Sequence, residues 1–324
     1  MGFYGLILIL GVTGLSATTA HSQTVTEADY YQIPLKLPEK AAVRQVILKT
    51  TQTRQNDQSE TATFKGEYIS RFTPDKEGYR VTKTTVSSNL ILDGDVSDEK
   101  SADMQKLSAA LADVGEITYI ADPNLTPLRI ADWPRLRRGI KQSMRKAGLM
   151  KQKQEAAFDA LYERITPEAA SELFLPEDGL LAIPRNLGLS LEKPYILEST
   201  IAAPFGGEPL RTRETLKLTR WDEAGQKAYL TYLSGPAKAD LDAYAKAIQP
   251  ELDTAARLDA EQYGLPYVAV NEVHLELSTR CNYEMSLKTG LVLRAACLSI
   301  RDVRIGEQIQ SQRESWSMSE SFVE

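Results

Sequence analysis

An alternation of apolar and polar side chains dominates the first third of the chain. Phe64, Tyr68 and Phe72 recur at even positions, and Val81 follows after a turn. A period of two, rich in threonine and aromatic residues, is typical of half-buried antiparallel strands. The pattern therefore predicts three long strands over residues 42–92.

The spacing then changes from that of strands to that of helices. Met104, Leu107, Leu111 and Val114 would lie on one face of a helix, which we expect at about 98–113. The same reasoning predicts short strands at 117–120 and 128–130, helices at about 134–147 and 150–165, and a short helix capped by Thr166.

Proline and glycine interrupt residues 175–194, which favours a linker or a long crossing loop. Strand patterns return after it, with one long helical stretch between them. We expect strands at about 195–203, 209–221 and 226–234, a helix over about 236–262 that breaks or bends near Pro250, and strands at roughly 267–280, 281–287, 291–303 and 307–318.

Short turns join most neighbouring strands, and such turns permit antiparallel but not parallel pairing. The prediction is an α+β fold, with large antiparallel β-sheets and segregated helices packed on one face. Residues 24–174 would form an N-terminal half and residues 195–320 a C-terminal half, with 175–194 between them. The two halves could equally form one continuous domain.

The N-terminus has the pattern of an export signal. Residues 1–26 contain no Asp, Glu, Lys or Arg, and the first charged residue is Glu27. An apolar run followed by small residues predicts a signal peptide over residues 1–20, cleaved after Ala20 or, alternatively, after Ser22. The alternative is a retained membrane anchor, but the apolar run is shorter than the ~20 residues that a spanning helix needs, which favours cleavage. We expect a periplasmic or extracellular protein with no transmembrane span once the leader is removed.

The two cysteines, Cys281 and Cys297, predict a disulfide, because cysteine pairs in exported proteins are commonly oxidised outside the cytoplasm. The intervening sequence resembles a β-hairpin, with Gly290 in the left-handed position of a three-residue loop, Lys288 to Gly290. The alternatives are two free thiols, or a catalytic cysteine with His274 as its base. Pairing across the loop sets Leu287 opposite Leu291, Met285 opposite Leu293, Glu284 opposite Arg294, Tyr283 opposite Ala295, and Cys281 opposite Cys297.

Composition narrows the class of protein. Hydrophobic residues make up 42% of 324 residues, enough for a folded core. The net charge of −6 argues against nucleic acid as a partner, because neutralising phosphates needs an excess of Lys and Arg on one surface. No glycine-rich nucleotide-binding pattern and no metal-binding histidine motif occurs, so we expect no cofactor and no metal.

Two charged segments permit more than one interpretation. The acidic residues Asp93, Asp95, Asp98 and Glu99 depart from the spacing of a calcium loop, and a solvated turn before a helix explains them better. The helix at 134–147 carries a basic stripe. That stripe is either the solvated face of an amphipathic helix or a surface for an acidic partner or membrane; its residues are Arg137, Lys141 and Arg145.

The sequence identifies no catalytic residue. We therefore expect an exported, non-enzymatic binding protein, with a lipid or another apolar small molecule as its ligand, because large sheets covered by helices can enclose an apolar cavity. The first alternative is a structural or protein-interaction module of the cell envelope. A hydrolase is less favoured, because catalysis usually requires a recognisable cluster of nucleophile, base and orienting group.

Overall fold

The computed structural model describes residues 30–38, 40–150 and 152–323. The predicted signal peptide, residues 1–20, lies outside this part of the chain. Strands account for much of the fold, and the described residues form thirteen of them. Their bounds are β1 Tyr31–Gln32, β2 Ala42–Gln55, β3 Gln58–Asp75, β4 Gly78–Gly94, β5 Glu116–Ala121, β6 Pro127–Ile130, β7 Gly188–Leu189, β8 Tyr195–Ile201, β9 Leu210–Asp222, β10 Lys227–Pro236, β11 Val273–Ser286, β12 Val292–Ile305 and β13 Gln308–Phe322.

Six helices occur within the same described ranges, and the sequence explains how two of them begin. Thr166 caps one helix by accepting a hydrogen bond from the backbone N–H of Ala169 at 3.2 Å. Asp132 caps another by accepting from the N–H of Arg135 at 3.1 Å. The helices are α1 Asp98–Asp113, α2 Trp133–Lys146, α3 Gln152–Tyr162, α4 Pro167–Phe174, α5 Pro176–Ala182 and α6 Lys238–Tyr263.

One antiparallel sheet of eleven strands runs through both halves of the chain, in the order β6-β5-β4-β3-β2-β13-β12-β11-β10-β9-β8. Each half is a meander of neighbouring strands. The halves join where the first long strand, β2, pairs with the last, β13, so that Ile47 lies opposite Met318 and Gln45 opposite Glu320. Strands β1 and β7 form a separate two-stranded sheet.

The alternation of side chains gives the large sheet one face covered by helices, called here the helix-covered face. In β11 this face carries Leu275, Cys281 and Tyr283, all buried. Helix α6 packs against it around Leu275, and α5 packs against it around Cys281. Helices α2 and α4 cover the other end of the sheet, over β4, β5 and β6. The α+β prediction, with a large antiparallel sheet and helices beside it, is therefore confirmed.

Several elements differ from the sequence-based expectation. Residues 273–286 form one strand, β11, whereas we expected a strand boundary between Arg280 and Cys281; no glycine or proline interrupts this stretch. Residues 267–272 precede the strand and are not part of it. Helix α6 continues through Pro250, so of the break or bend expected there, the break does not occur. Residues 175–194, for which we expected a linker or crossing loop, carry helix α5 and strand β7.

The hairpin register agrees with the prediction except near its turn. Tyr283 lies opposite Ala295 and Glu284 opposite Arg294, as expected. Met285 pairs with Val292 rather than with Leu293, because a β-bulge between Glu284 and Met285 shifts the register. Gly290 adopts a left-handed φ of 73°. The added Cβ of any other residue there would lie 2.6 Å from the carbonyl oxygen of Pro34, a second reason for glycine at this position.

Candidate ligand-binding cavity

Helix α5 is fixed to the N-terminal half of the sheet by one buried carboxylate. The Asp178 side chain accepts hydrogen bonds from Lys83 Nζ of β4 at 2.5 Å, from the Tyr119 hydroxyl of β5 at 3.2 Å and from Gln45 Nε2 of β2 at 3.3 Å. Both charged side chains are less than a tenth exposed. Because a buried charge is costly unless it is paired, this contact positions α5 closely on the sheet.

The other end of α5 contacts the C-terminal half. The Tyr283 hydroxyl donates to the backbone carbonyl of Leu180 at 2.9 Å. Just beyond the helix, Arg185 forms a buried ion pair with Glu320 of β13, and Glu320 also accepts from the N–H of Val292 at 3.0 Å. Helix α5 is therefore anchored across the centre of the sheet.

Beside α5 lies a partly open cavity of about 290 Å³, lined by strands β2 to β5 and by the helices α1, α2, α4 and α5. Its walls are mainly apolar. Phe64 and Leu90 contribute from the sheet, and Met104 and Leu107 from the apolar face of α1. The remaining apolar lining residues are Ile47, Leu111, Ala112, Val114, Ile117, Leu136, Ile140, Phe174 and Leu175.

Three polar side chains form what we call the polar end of the cavity: Tyr68, Lys83 and Glu177. Lys83 Nζ lies 4.5 Å from the centroid of the Tyr68 ring, a cation–π contact. Burial, followed by the negative charges of Glu177 and Asp178, raises the pKa of the Tyr68 phenol. The phenol is therefore uncharged near neutral pH and can donate a hydrogen bond.

Glu177 has only a loose ionic partner. Its carboxylate lies 4.0 Å from Lys49 Nζ, which contacts Glu314 more closely, at 2.8 Å. Lys49 also lies over the ring of Trp316, 5.1 Å from its centroid. The negative charge of Glu177 is thus less fully neutralised than that of Asp178.

A second cavity of about 230 Å³ lies on the same face of the sheet, in the C-terminal half. Its polar groups bond to one another. Ser199 Oγ is 2.6 Å from Thr212 Oγ1, and the carboxylate of Glu214 accepts from Ser199 at 3.2 Å and from the Tyr232 hydroxyl at 2.9 Å. Because these groups already satisfy each other, the first cavity is the better candidate for an apolar ligand.

The predicted disulfide is present. Cys281 and Cys297 are bonded, lie directly opposite each other in β11 and β12, and are buried beneath α5. A bonded sulfur is not available as a nucleophile, so the catalytic-cysteine alternative is wrong. His274 is exposed on the same strand, seven positions from Cys281, and an odd separation places it on the opposite face of the sheet.

The two charged segments have local explanations. On α2, Lys141 Nζ lies 2.6 Å from Asp159, and Arg145 forms a bidentate ion pair with Glu155, so both contact acidic residues of α3. Asp95 accepts a hydrogen bond from the N–H of Ser59 at 3.0 Å, as a turn residue does. The described residues contain no group of three or more His, Cys, Asp or Glu side chains able to hold a metal ion.

Sequence reasoning did not identify the polar end of the cavity or the buried ion pairs. The sequence contained part of the information. Gln45 and Lys83 are polar residues at positions where the strand alternation places the neighbouring side chains, two residues before and after, on the core-facing side of the sheet. Glu320 lay beyond the predicted end of the last strand, and Asp178 and Arg185 lay in the segment expected to be a loop. Each was therefore assigned no partner.

Comparisons with known proteins do not define a family. No protein-family model and no curated protein matches the chain. Two solved structures align weakly with it. The β domain of the Bordetella autotransporter BrkA shares 7% identity, with 87% of this chain and 99% of that chain covered and a TM-score of 0.19. OccK11 (OpdR) of Pseudomonas aeruginosa shares 9%, with 91% and 100% covered and a TM-score of 0.21. Scores this low support no inference about fold or function.

One finding bears on the compartment of the protein, and another concerns its helices. A structural disulfide is typical of an oxidising compartment. Within residues 30–38, 40–150 and 152–323, none of the helices combines the length and the apolar character needed to cross a bilayer.

Proposed function

We propose that this protein is exported and binds a lipid-like or other apolar small molecule, without catalysing a reaction on it. The observation that supports the proposal is the cavity of about 290 Å³ between α1 and the sheet, with apolar walls and one polar end. Small-molecule sites commonly have this composition, in which apolar walls supply affinity and a few polar groups fix orientation.

Export to the periplasm or the extracellular space is part of the proposal. It is supported by the disulfide and by the N-terminal pattern, in which residues 1–26 carry no Asp, Glu, Lys or Arg and begin with an apolar run. The proposal that the protein is not an enzyme is supported by three side chains that would otherwise be reactive. The amine of Lys83 is paired with Asp178, and the sulfurs of Cys281 and Cys297 are bonded to each other.

The experiment is native mass spectrometry of the protein exported through its own leader and purified gently, followed by denaturation of the same sample. We expect an excess mass that disappears on denaturation, because a bound molecule would then be released. The denatured mass also reports removal of the leader and the two hydrogens lost on forming the disulfide.

A pair of variants on α1 ties binding to the cavity. Ala112 lines it, whereas Ala109, on the same helix, is exposed and does not. Ala112→Trp should fill the space and abolish both the excess mass and the binding of N-phenyl-1-naphthylamine, an uncharged apolar fluorophore. Ala109→Trp should leave both unchanged. Equal binding by the two variants, or no binding to the unmodified protein, would contradict the proposal.

A second candidate function is a protein-interaction module of the envelope. The observation that favours it is a run of exposed apolar side chains at and after the end of α6, including Leu258, Leu265 and Val268. Large exposed apolar surfaces commonly mark contacts with other proteins. A native mass without a small-molecule adduct, together with failure of the fluorophore to bind, would favour this function.

A further inference from the structure

The charges at the polar end of the cavity restrict which head group a ligand can carry. Lys83 is the cation there, and its Nζ lies 2.5 Å from Asp178 and against the face of the Tyr68 ring. Its charge is therefore already balanced by an internal carboxylate. An incoming anion would have to compete with Asp178, which also holds Tyr119 and Gln45.

Glu177 makes an anion still less favourable. Glu177 lines the cavity, and its side chain is only 16% exposed. The distance from its carboxylate to Lys49 Nζ is 4.0 Å. A carboxylate or phosphate brought to this end would meet a like charge at low local dielectric. A cation could pair with Glu177, but it would lose its hydration on entering the cavity, and for a buried ion pair that loss often cancels the attraction.

An uncharged head group avoids both costs and finds hydrogen-bond partners. The Tyr68 hydroxyl can donate to an oxygen of the ligand, and Glu177 can accept from a ligand hydroxyl. Additional hydroxyl groups line the cavity, from Thr85, Ser88 and Ser108. The lining thus suits a head group that both donates and accepts hydrogen bonds.

The size of the cavity limits the apolar part of the ligand. Its volume of about 290 Å³ is just below the range of about 300–1,000 Å³ found for small-molecule sites. That space suits one hydrocarbon chain better than two. Each buried methylene group contributes favourably to binding, so the chain supplies affinity and the head group supplies selectivity.

We infer that the cavity selects a single-chain amphiphile with an uncharged, hydroxyl-bearing head group and discriminates against fatty-acid anions, with Glu177 as a specificity-determining residue. The inference rests on the proposed function, because it assigns a ligand class to the same cavity. Monoacylglycerols and long-chain alcohols belong to the class; fatty acids and alkylamines do not.

The test compares three probes that share a chain and differ in the head group: decan-1-ol, decanoate and decylamine. Dissociation constants are measured at neutral pH by displacement of N-phenyl-1-naphthylamine, with decan-1-ol below its solubility limit and the two charged probes below their micelle concentrations. We expect decan-1-ol to bind at least about tenfold more tightly than either charged probe, a ratio that corresponds to about 1.4 kcal/mol.

A substitution tests the role of Glu177. Glu177→Gln removes the negative charge while keeping the size of the side chain, so the preference for decan-1-ol over decanoate should fall at least about threefold. The control is Glu168→Gln, on the exposed surface of α4 and outside the cavity lining, which should leave the ratio unchanged.

The outcomes separate the inference from the proposed function. If decanoate or decylamine binds as tightly as decan-1-ol, the head-group selectivity is wrong while apolar binding stands. An unchanged ratio in Glu177→Gln would remove Glu177 from the explanation and overturn its assigned role. Failure of all three probes and of the fluorophore to bind would overturn both proposals together.

Discussion

At the scale of single residues, the cluster under α5 shows what a sequence pattern does and does not contain. The alternation in β2 and β4 places Gln45 and Lys83 on the buried face, which marks both as unusual. Their common partner, Asp178, is 133 positions from Gln45 and 95 from Lys83. Local spacing carries no information about a contact over that distance, so neither the ion pair nor the polar end of the cavity could be predicted.

Removing Asp178 should strongly destabilise the protein. Asp178→Ala would leave the ammonium group of Lys83 buried without a partner, and such losses typically cost about 3–5 kcal/mol. The measurement is the free energy of unfolding in urea. Adding Lys83→Met to Asp178→Ala should restore part of the loss, because the double variant buries no unpaired charge.

An exposed ion pair supplies the comparison for that result. Arg145→Ala breaks the contact with Glu155 on the protein surface, where water and salt screen the charges. It should shift the urea midpoint far less than Asp178→Ala does. If the two single variants are equally stable, or if the double variant is no better than Asp178→Ala, the buried pair is not what fixes α5.

At the scale of elements, the sequence was most informative where a pattern was long. The helix expected at about 98–113 has the bounds Asp98–Asp113, and three long strands occupy residues 42–94 as the alternation indicated. Helix α5 was not predicted, because a segment of seven residues that includes a proline and a glycine is too short for a helical period to be recognised. Its helical form depends on packing against the sheet, which is a tertiary contact.

The disulfide stabilises the pair of strands β11 and β12. It closes a loop with a sequence separation of 16 residues, for which chain entropy gives about 3 kcal/mol. The double substitution of Cys281→Ala and Cys297→Ala should lower the free energy of unfolding by about that amount, as measured in urea. Reductant should destabilise the unmodified protein to a similar extent and leave the double variant unaffected. A response of the double variant to reductant would contradict this explanation.

At the scale of the whole molecule, the pairing of β2 with β13 makes one sheet from two meanders. Gln45 of β2 and Glu320 of β13 lie opposite each other and are hydrogen-bonded at 3.2 Å, although 275 positions separate them. The sequence showed two similar series of strands but not where they meet. Strand order between distant segments is set by packing of the complete chain rather than by local preference.

Buried tyrosines lie in both meanders, so the stability of the whole sheet should depend on pH in the alkaline range. Burial raises the pKa of the phenols of Tyr68 and Tyr119 in the N-terminal half and of Tyr232 and Tyr283 in the C-terminal half; nearby Asp178 adds to the shift at Tyr119. The unfolded chain releases these protons near the ordinary tyrosine pKa of about 10. The folded protein retains them to higher pH.

Stability should therefore be insensitive to these tyrosines below about pH 10 and should fall as the pH rises above it, since the unfolded state then binds fewer protons than the folded state. Each such tyrosine contributes a slope of about 1.4 kcal/mol per pH unit. Urea unfolding at a series of pH values from 8 to 12 measures the total slope.

Tyr119→Phe should make the slope smaller by about one proton, although it also weakens the protein at pH 8 by removing the hydrogen bond to Asp178. Leu181→Ala, which disturbs the core near Tyr283 without removing a titrating group, should lower stability and leave the slope unchanged. An unchanged slope in Tyr119→Phe would show that its phenol is not held protonated by the fold.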